Sequence, residues 1–219
     1  MLELAIAMAL FVGTHFLMSH PLRGPMVGAL GEGGFMGVYS LVSLGTLVWA
    51  ARAYGDAPVE QLWIPLFWVV VAGHVVMLLA SILFIGSFLT KNPALAGMDG
   101  QLETIDKPAG VTRITRHPMM WAFGLWGLSH IAMIGQLSMV VFAGGITFLA
   151  LVGAAAQDAK KRQTVGASWV RWTEMTSYFP LPKWPGVAPL LAGITTYALL
   201  VWLHPLIFGV TTRLWEFII

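Results

Sequence analysis

The chain has 219 residues, of which 58% are hydrophobic and 10% are charged, and its formal net charge is +2 at pH 7. Soluble globular domains carry about a quarter charged residues, so this composition excludes an ordinary soluble domain and indicates an integral membrane protein. The sequence contains no cysteine, which excludes disulfides, thiolate nucleophiles and cysteine-ligated metal or iron–sulfur sites.

Long charge-free segments predict how often the chain crosses the membrane. A helical crossing takes about 20 apolar residues, and the longest charge-free segment, 117–157, has room for two crossings with a turn at Gly135-Gln136. The sequence therefore predicts an all-α, polytopic membrane helix bundle that forms one domain over residues 1–219. The six predicted spans are 3–20, 35–52, 64–89, 118–134, 137–157 and 187–209.

The basic residues predict the orientation of these spans. Ten of the twelve lysines and arginines fall in the first, third and fifth connecting loops. Basic loops remain in the cytoplasm, so both termini are expected on the outer, periplasmic face of the membrane. The expected partner is the lipid bilayer. No nucleic-acid partner is expected, because the basic residues are spread over several loops, and the sequence identifies no protein partner.

Two connecting segments are expected at the cytoplasmic surface. Residues 90–117 contain prolines and glycines, which predicts a loop with one short helical turn. Residues 158–175 are amphipathic and predict an interfacial helix that continues span five. Tryptophans near the span ends predict an aromatic belt, formed by Trp49, Trp63, Trp169, Trp172, Trp184 and Trp215.

Histidines inside the spans are the main candidates for function, because ionisable groups at that depth are costly and mark pathways, ligands or cofactors. His15 and His20 lie five residues apart in span one. Their side chains are therefore about 140° apart around the helix and cannot both face one ligand. His15 is either a ligand or a neutral histidine bonded to a neighbouring carbonyl. His74, in the middle of span three, presents the same choice, and His204 is expected at the outer interface.

Span four opens with the sequence TRHPM, in which a proline suits the first helical position. His117, Arg113 and Arg116 predict an anion site at this helix N-terminus, with ordinary interfacial arginines as the alternative. His130 lies thirteen residues after His117, about 20 Å along the helix. Trp126 lies one turn before His130 and shares its face.

Two neutral imidazoles from different helices can hold the iron of haem b from opposite faces. Zinc would need a third or fourth ligand, and the spans carry no carboxylate after Glu3. The sequence therefore predicts a haem b site with His15 and His130 as iron ligands and Arg23, Arg113 and Arg116 as partners of the propionates. His20 and His74 remain alternatives to His15.

Three segments, FVGTHFLMSHPLR, LGEGGFMGVYSLVSL and TRHPMMWAFGLWGLSHI, together resemble the NnrU family of bacterial membrane proteins over almost the whole chain. The resemblance implies about six helices in the inner membrane and a link to denitrification, through production of nitrite and nitric oxide reductases. The same superfamily includes 15-cis-ζ-carotene isomerase, which implies haem b binding and, as an alternative function, cis–trans isomerisation of a carotenoid-like polyene. The ligand positions of that branch match His15 and His130.

The RHP element also resembles membrane methyltransferases of the isoprenylcysteine and phospholipid types. That resemblance implies an S-adenosylmethionine-dependent methyltransferase as a third function. This chain lacks their Glu-Glu pair, since Asp158 and Glu174 stand singly. We therefore expect a haem b-binding, NnrU-like protein with a role in denitrification. The sequence does not decide whether it is an enzyme; if it is one, a cis–trans isomerase acting on a hydrophobic small molecule is expected.

Overall fold

The computed structural model describes residues 1–212, and this part of the chain is helical without a strand. Short 3₁₀ helices at Asp99–Thr104 and Gly110–Arg113 interrupt the long segment between α3 and α4. The α-helices are α1 Leu2–Ser19, α2 Arg23–Gly55, α3 Phe67–Leu89, α4 Pro118–Ile134, α5 Leu137–Thr164, α6 Ala167–Met175 and α7 Val187–Phe208. The predicted all-α, polytopic fold is confirmed.

Five helices, α1, α2, α3, α5 and α7, are each long and apolar enough to cross a membrane. Helix α4 is apolar but has 17 residues, which corresponds to a length of about 25 Å. Helix α2 begins earlier than predicted, because much of the glycine-rich segment before residue 35 is helical. A break at Gly31, where φ is 70°, divides α2 into a short surface segment and the spanning segment. Glycine adopts this backbone conformation without steric cost.

The spanning helices form a row whose spatial order differs from their order in the chain. Helix α2 packs beside α1, α1 beside α5, α5 beside α4, α4 beside α3, and α3 beside α7. Glycines permit the closest approaches. A Cβ atom at Gly127 of α4 would lie 2.7 Å from the carbonyl oxygen of Ala143 in α5. Helix α5 therefore stands between α1 and α4, the two helices that carry the predicted iron ligands.

Contacts between connecting loops show which helix ends lie together at each end of the bundle. At one end, the Gln61 side-chain amide donates to the carbonyl of Ile134 at 2.9 Å, which joins the α2–α3 loop to the α4–α5 turn. At the other end, Lys160 Nζ donates to the carbonyl of Ser19 at 3.2 Å. The second end carries the loops with most of the basic residues, and we call it the basic end.

The segment predicted as an interfacial helix is covered by protein instead. Helix α5 continues to Thr164, and the chain then turns at Gly166 into α6. Trp169 and Trp172 of α6 are 0% and 1% exposed and pack with Ala94 and other apolar residues of the α3–α4 segment. The aromatic-belt prediction is therefore wrong for these two tryptophans, because the α3–α4 segment covers the apolar face of α6.

The other tryptophans predicted for the belt have a different environment. Trp49, Trp63 and Trp184 are exposed on the protein surface, where lipid headgroups can contact them. Trp215 lies outside the described residues.

Candidate functional site

The two predicted iron ligands have the same local geometry. His15 Nδ1 lies 2.6 Å from the carbonyl oxygen of Phe11, and His130 Nδ1 lies 2.8 Å from that of Trp126. A carbonyl oxygen only accepts, so Nδ1 carries the hydrogen in both rings and the lone pair is on Nε2. Neither Nε2 has a hydrogen-bond partner among residues 1–212. Each imidazole is thus fixed in a tautomer that can ligate a metal ion through Nε2.

The two histidines nevertheless lie far apart. His15 is four residues before the end of α1 at Ser19, about 6 Å from the basic end. His130 is four residues before the end of α4 at Ile134, about 6 Å from the opposite end. Because α5 also separates α1 from α4, the two rings do not meet at a single iron in this arrangement of helices. The donor chemistry fits haem at each histidine separately.

His15 is surrounded by aromatic residues of α1 and α2. Its ring lies 5.3 Å from the ring of Tyr39, which lies 5.8 Å from the ring of Phe35. The guanidinium carbon of Arg23 lies 5.4 Å from the centre of the Phe35 ring. The structure thus brings two predicted site residues, His15 and Arg23, to the same edge of the row.

His130 belongs to a different group near the opposite end. Its ring stacks on Trp126 with centroids 4.6 Å apart. His74 Nδ1 lies 2.6 Å from the hydroxyl oxygen of Tyr197, which is a hydrogen bond between α3 and α7.

Residues of the RHP element form a buried ion cluster with α5. The Asp158 carboxylate accepts hydrogen bonds from Arg116 Nε at 2.8 Å and from Arg116 Nη2, and its Oδ1 lies 2.7 Å from His117 Nε2. The side chains of Arg116, His117 and Asp158 are 10%, 0% and 10% exposed. A buried charge requires a partner of opposite charge, so this cluster ties the start of α4 to the basic end of α5.

The protonation state of His117 follows from its surroundings. Burial lowers the pKa of His117, although its hydrogen bond to Asp158 acts in the opposite direction. The neutral ring then donates from Nε2 to the carboxylate, and Nδ1 is buried without a hydrogen-bond partner among the described residues. The Tyr178 ring covers one side of His117 at 5.8 Å between ring centroids. Burial and the Asp158 carboxylate both raise the pKa of Tyr178.

The sequence reasoning missed the role of Asp158. It assigned Arg116 to a propionate or to the membrane surface, whereas the Arg116 guanidinium already binds Asp158, and Arg113 is exposed. One signal pointed to Asp158, since it is the acidic residue that ends the charge-free segment 117–157. The structure places Arg116 with His117 and Trp126 with His130, but it does not join these pairs to His15 and Arg23 in one site.

Two apolar grooves open on the surface of the helices. One, of about 310 Å³, lies near the basic end and is lined by Trp121, Leu151, Val152, Ala155, Tyr178 and Phe179. The other, of about 370 Å³, lies at the opposite end and is lined by residues of the segment 63–69 and of α4.

Comparison with known proteins yields one match. A family model described as NnrU protein matches residues 3–212, which cover the helices described above except for Leu2 at the start of α1. Neither a curated protein nor a solved structure gives a significant match.

Proposed function

The chain belongs to the NnrU family, and on this premise we propose that it is a haem b-binding, multi-pass protein of the bacterial inner membrane with a role in denitrification. That role would lie in the production or function of nitrite and nitric oxide reductases. One observation supports haem binding: intramembrane His15 and His130 both present an Nε2 lone pair that has no partner in residues 1–212. Ionisable side chains inside a membrane are energetically costly, and they mark functional sites.

Haem b, when bound, supplies an iron centre that binds small ligands and transfers single electrons. This chain would supply the histidine imidazole that binds the iron. The Phe11 and Trp126 carbonyls orient the two rings.

An absorption spectrum of the purified protein tests this proposal. Protein produced with ample haem and isolated in mild detergent is expected to show a Soret band, and its reduced pyridine extract the spectrum of haem b. His204→Ala is the control and should retain the band, because His204 lies near the end of α7 and bonds the Val210 carbonyl. The absence of a Soret band in the wild-type protein would contradict the proposal.

A second function, cis–trans isomerisation of a carotenoid-like polyene, is favoured by the groove lined by Trp121, Tyr178 and Phe179. An apolar, aromatic groove of this kind suits an elongated hydrocarbon. Incubating the protein in detergent with a cis-polyene would test it, and a substrate unchanged by haem-loaded protein would contradict it. The methyltransferase alternative lacks such an observation, because the His117 ring of the RHP element is fully buried against Asp158.

We further propose that the basic end is cytoplasmic, as the distribution of lysine and arginine favours. The chain has no native cysteine, so single cysteines report on each side without background. In spheroplasts, Val59→Cys is expected to react with a membrane-impermeant maleimide, whereas Lys107→Cys should react only after the membrane is opened. Both positions are exposed on the protein. The reverse pattern would contradict this orientation.

A further inference from the structure

Lys160 is a cation at the basic end whose charge is not balanced by a carboxylate. The buried charges around it are paired, Arg116 with Asp158 and Lys161 with Asp99. Lys160 itself forms no ion pair in the described part of the chain, although its side chain is only partly exposed. A charge that is partly removed from water is stabilised by a partner of opposite charge. The position therefore suits an anion from outside the chain.

The Lys160 ammonium lies where α1 ends. It donates to the Ser19 carbonyl at 3.2 Å. An ammonium has three N–H donors, and the other two have no acceptor in residues 1–212. Because Ser19 is the last residue of a spanning helix, these two donors lie at the depth where the helices meet lipid headgroups.

A second cation begins α2 beside this ammonium. Arg23 follows Ser19 by four residues, and its backbone N–H donates to the His20 carbonyl at 3.4 Å across the turn between α1 and α2. The Arg23 guanidinium contacts Glu32 through Nη2 alone, and this exposed ion pair is weak. Its other N–H groups remain donors for an anion. Lys160, Arg23 and Glu32 together leave one positive charge to be neutralised.

The surface around this turn is apolar as well as basic. Leu17, Leu22 and Leu30 are 53%, 44% and 49% exposed, and they belong to the end of α1, the turn and the first segment of α2. A free anion gains nothing from exposed leucines. A phospholipid, in contrast, places its phosphate beside cations and its acyl chains against apolar side chains.

We propose that Lys160 and Arg23 bind the phosphate of an anionic phospholipid at the turn between α1 and α2. Lys160 comes from α5, so the lipid links the ends of three helices that meet at the basic end. Basic residues next to membrane helices are typical of anionic-lipid recognition. The site goes beyond the proposed haem function and does not depend on it.

Thermal unfolding of the purified full chain in mild detergent tests the site. Phosphatidylglycerol is expected to raise the unfolding midpoint of wild-type protein more than phosphatidylcholine does, and its titration gives an affinity. Lys160→Gln should bind phosphatidylglycerol about fivefold more weakly, the size expected for one basic residue at a membrane surface. Arg162→Gln is the matched control and should bind as wild type, because exposed Arg162 points about 200° away around α5.

A fourth protein, Glu32→Gln, should bind phosphatidylglycerol about fivefold more tightly. The substitution removes the carboxylate that competes for Arg23, and damage to the fold would not produce a gain. An unchanged affinity of Glu32→Gln would overturn the role of Arg23.

Three other results would overturn the site. Equal weakening in Lys160→Gln and Arg162→Gln would indicate only a general attraction to anionic lipid. A midpoint that Lys160→Gln lowers equally with and without phosphatidylglycerol would show that Lys160 only caps α1. Equal stabilisation of wild-type protein by the two lipids would show that the surface does not select an anionic headgroup.

Discussion

Asp158→Asn is expected to lower the free energy of unfolding by about 3–5 kcal/mol, the usual cost of removing one partner from a buried ion pair. The substitution leaves the Arg116 guanidinium buried without its counter-charge, while His117 loses the carboxylate that accepts from Nε2. Thermal unfolding in detergent, followed by circular dichroism, measures the change. Glu174→Gln is the matched control, because Glu174 is an exposed carboxylate at the same end of the protein.

A double substitution sharpens this test. Replacing Arg116 by methionine and Asp158 by leucine removes both charges, and apolar replacements of a buried pair are often neutral or stabilising. The double variant is therefore expected to be more stable than Arg116→Met or Asp158→Leu alone. Equal stability of Asp158→Asn and Glu174→Gln would show that the cluster does not tie α4 to α5.

Trp169→Ala is expected to destabilise the protein by about 3–5 kcal/mol, as is typical when a large buried aromatic side chain is truncated. Trp169 is 0% exposed, and its ring lies under the Lys161 ammonium, with Nζ 4.8 Å from the ring centre. Its removal leaves a cavity between α6 and the α3–α4 segment. Thermal unfolding in detergent measures the loss.

Trp184→Ala provides the comparison for this variant, because Trp184 belongs to the predicted aromatic belt and is 54% exposed. Its truncation should change the free energy of unfolding by about 0.5 kcal/mol or less. Similar losses for the two variants would mean that Trp169 does not have the structural role its burial indicates.

The spans could be predicted from the sequence because length and apolar content are properties of contiguous residues. The predicted limits of α4, residues 118–134, agree with the structure, where a proline begins the helix and Gly135 ends it. The break at Gly31 was not predicted, since the same glycines are compatible with a loop or with a helix.

The candidate site was harder to predict because it depends on which helices are neighbours. The pairing of Asp158 with Arg116 joins residues more than 40 positions apart on different elements, and hydropathy carries no information about such a pair. The depths of His15 and His130 could be calculated from their distances to the span ends. The position of α5 between their helices could not be read from a single sequence.

The place of α5 in the row has a consequence for how the protein is assembled. Chains are made from the N-terminus, and their domains form in that order. The pair α1–α2 and the pair α3–α4 are each neighbours in the chain and in space, so both can form as hairpins soon after leaving the ribosome. The contact of α1 with α5 closes a loop of more than 100 residues. Helix α5 contacts both hairpins, through α1 and through α4. The two hairpins are therefore expected to pack into one row only after α5 has inserted into the bilayer.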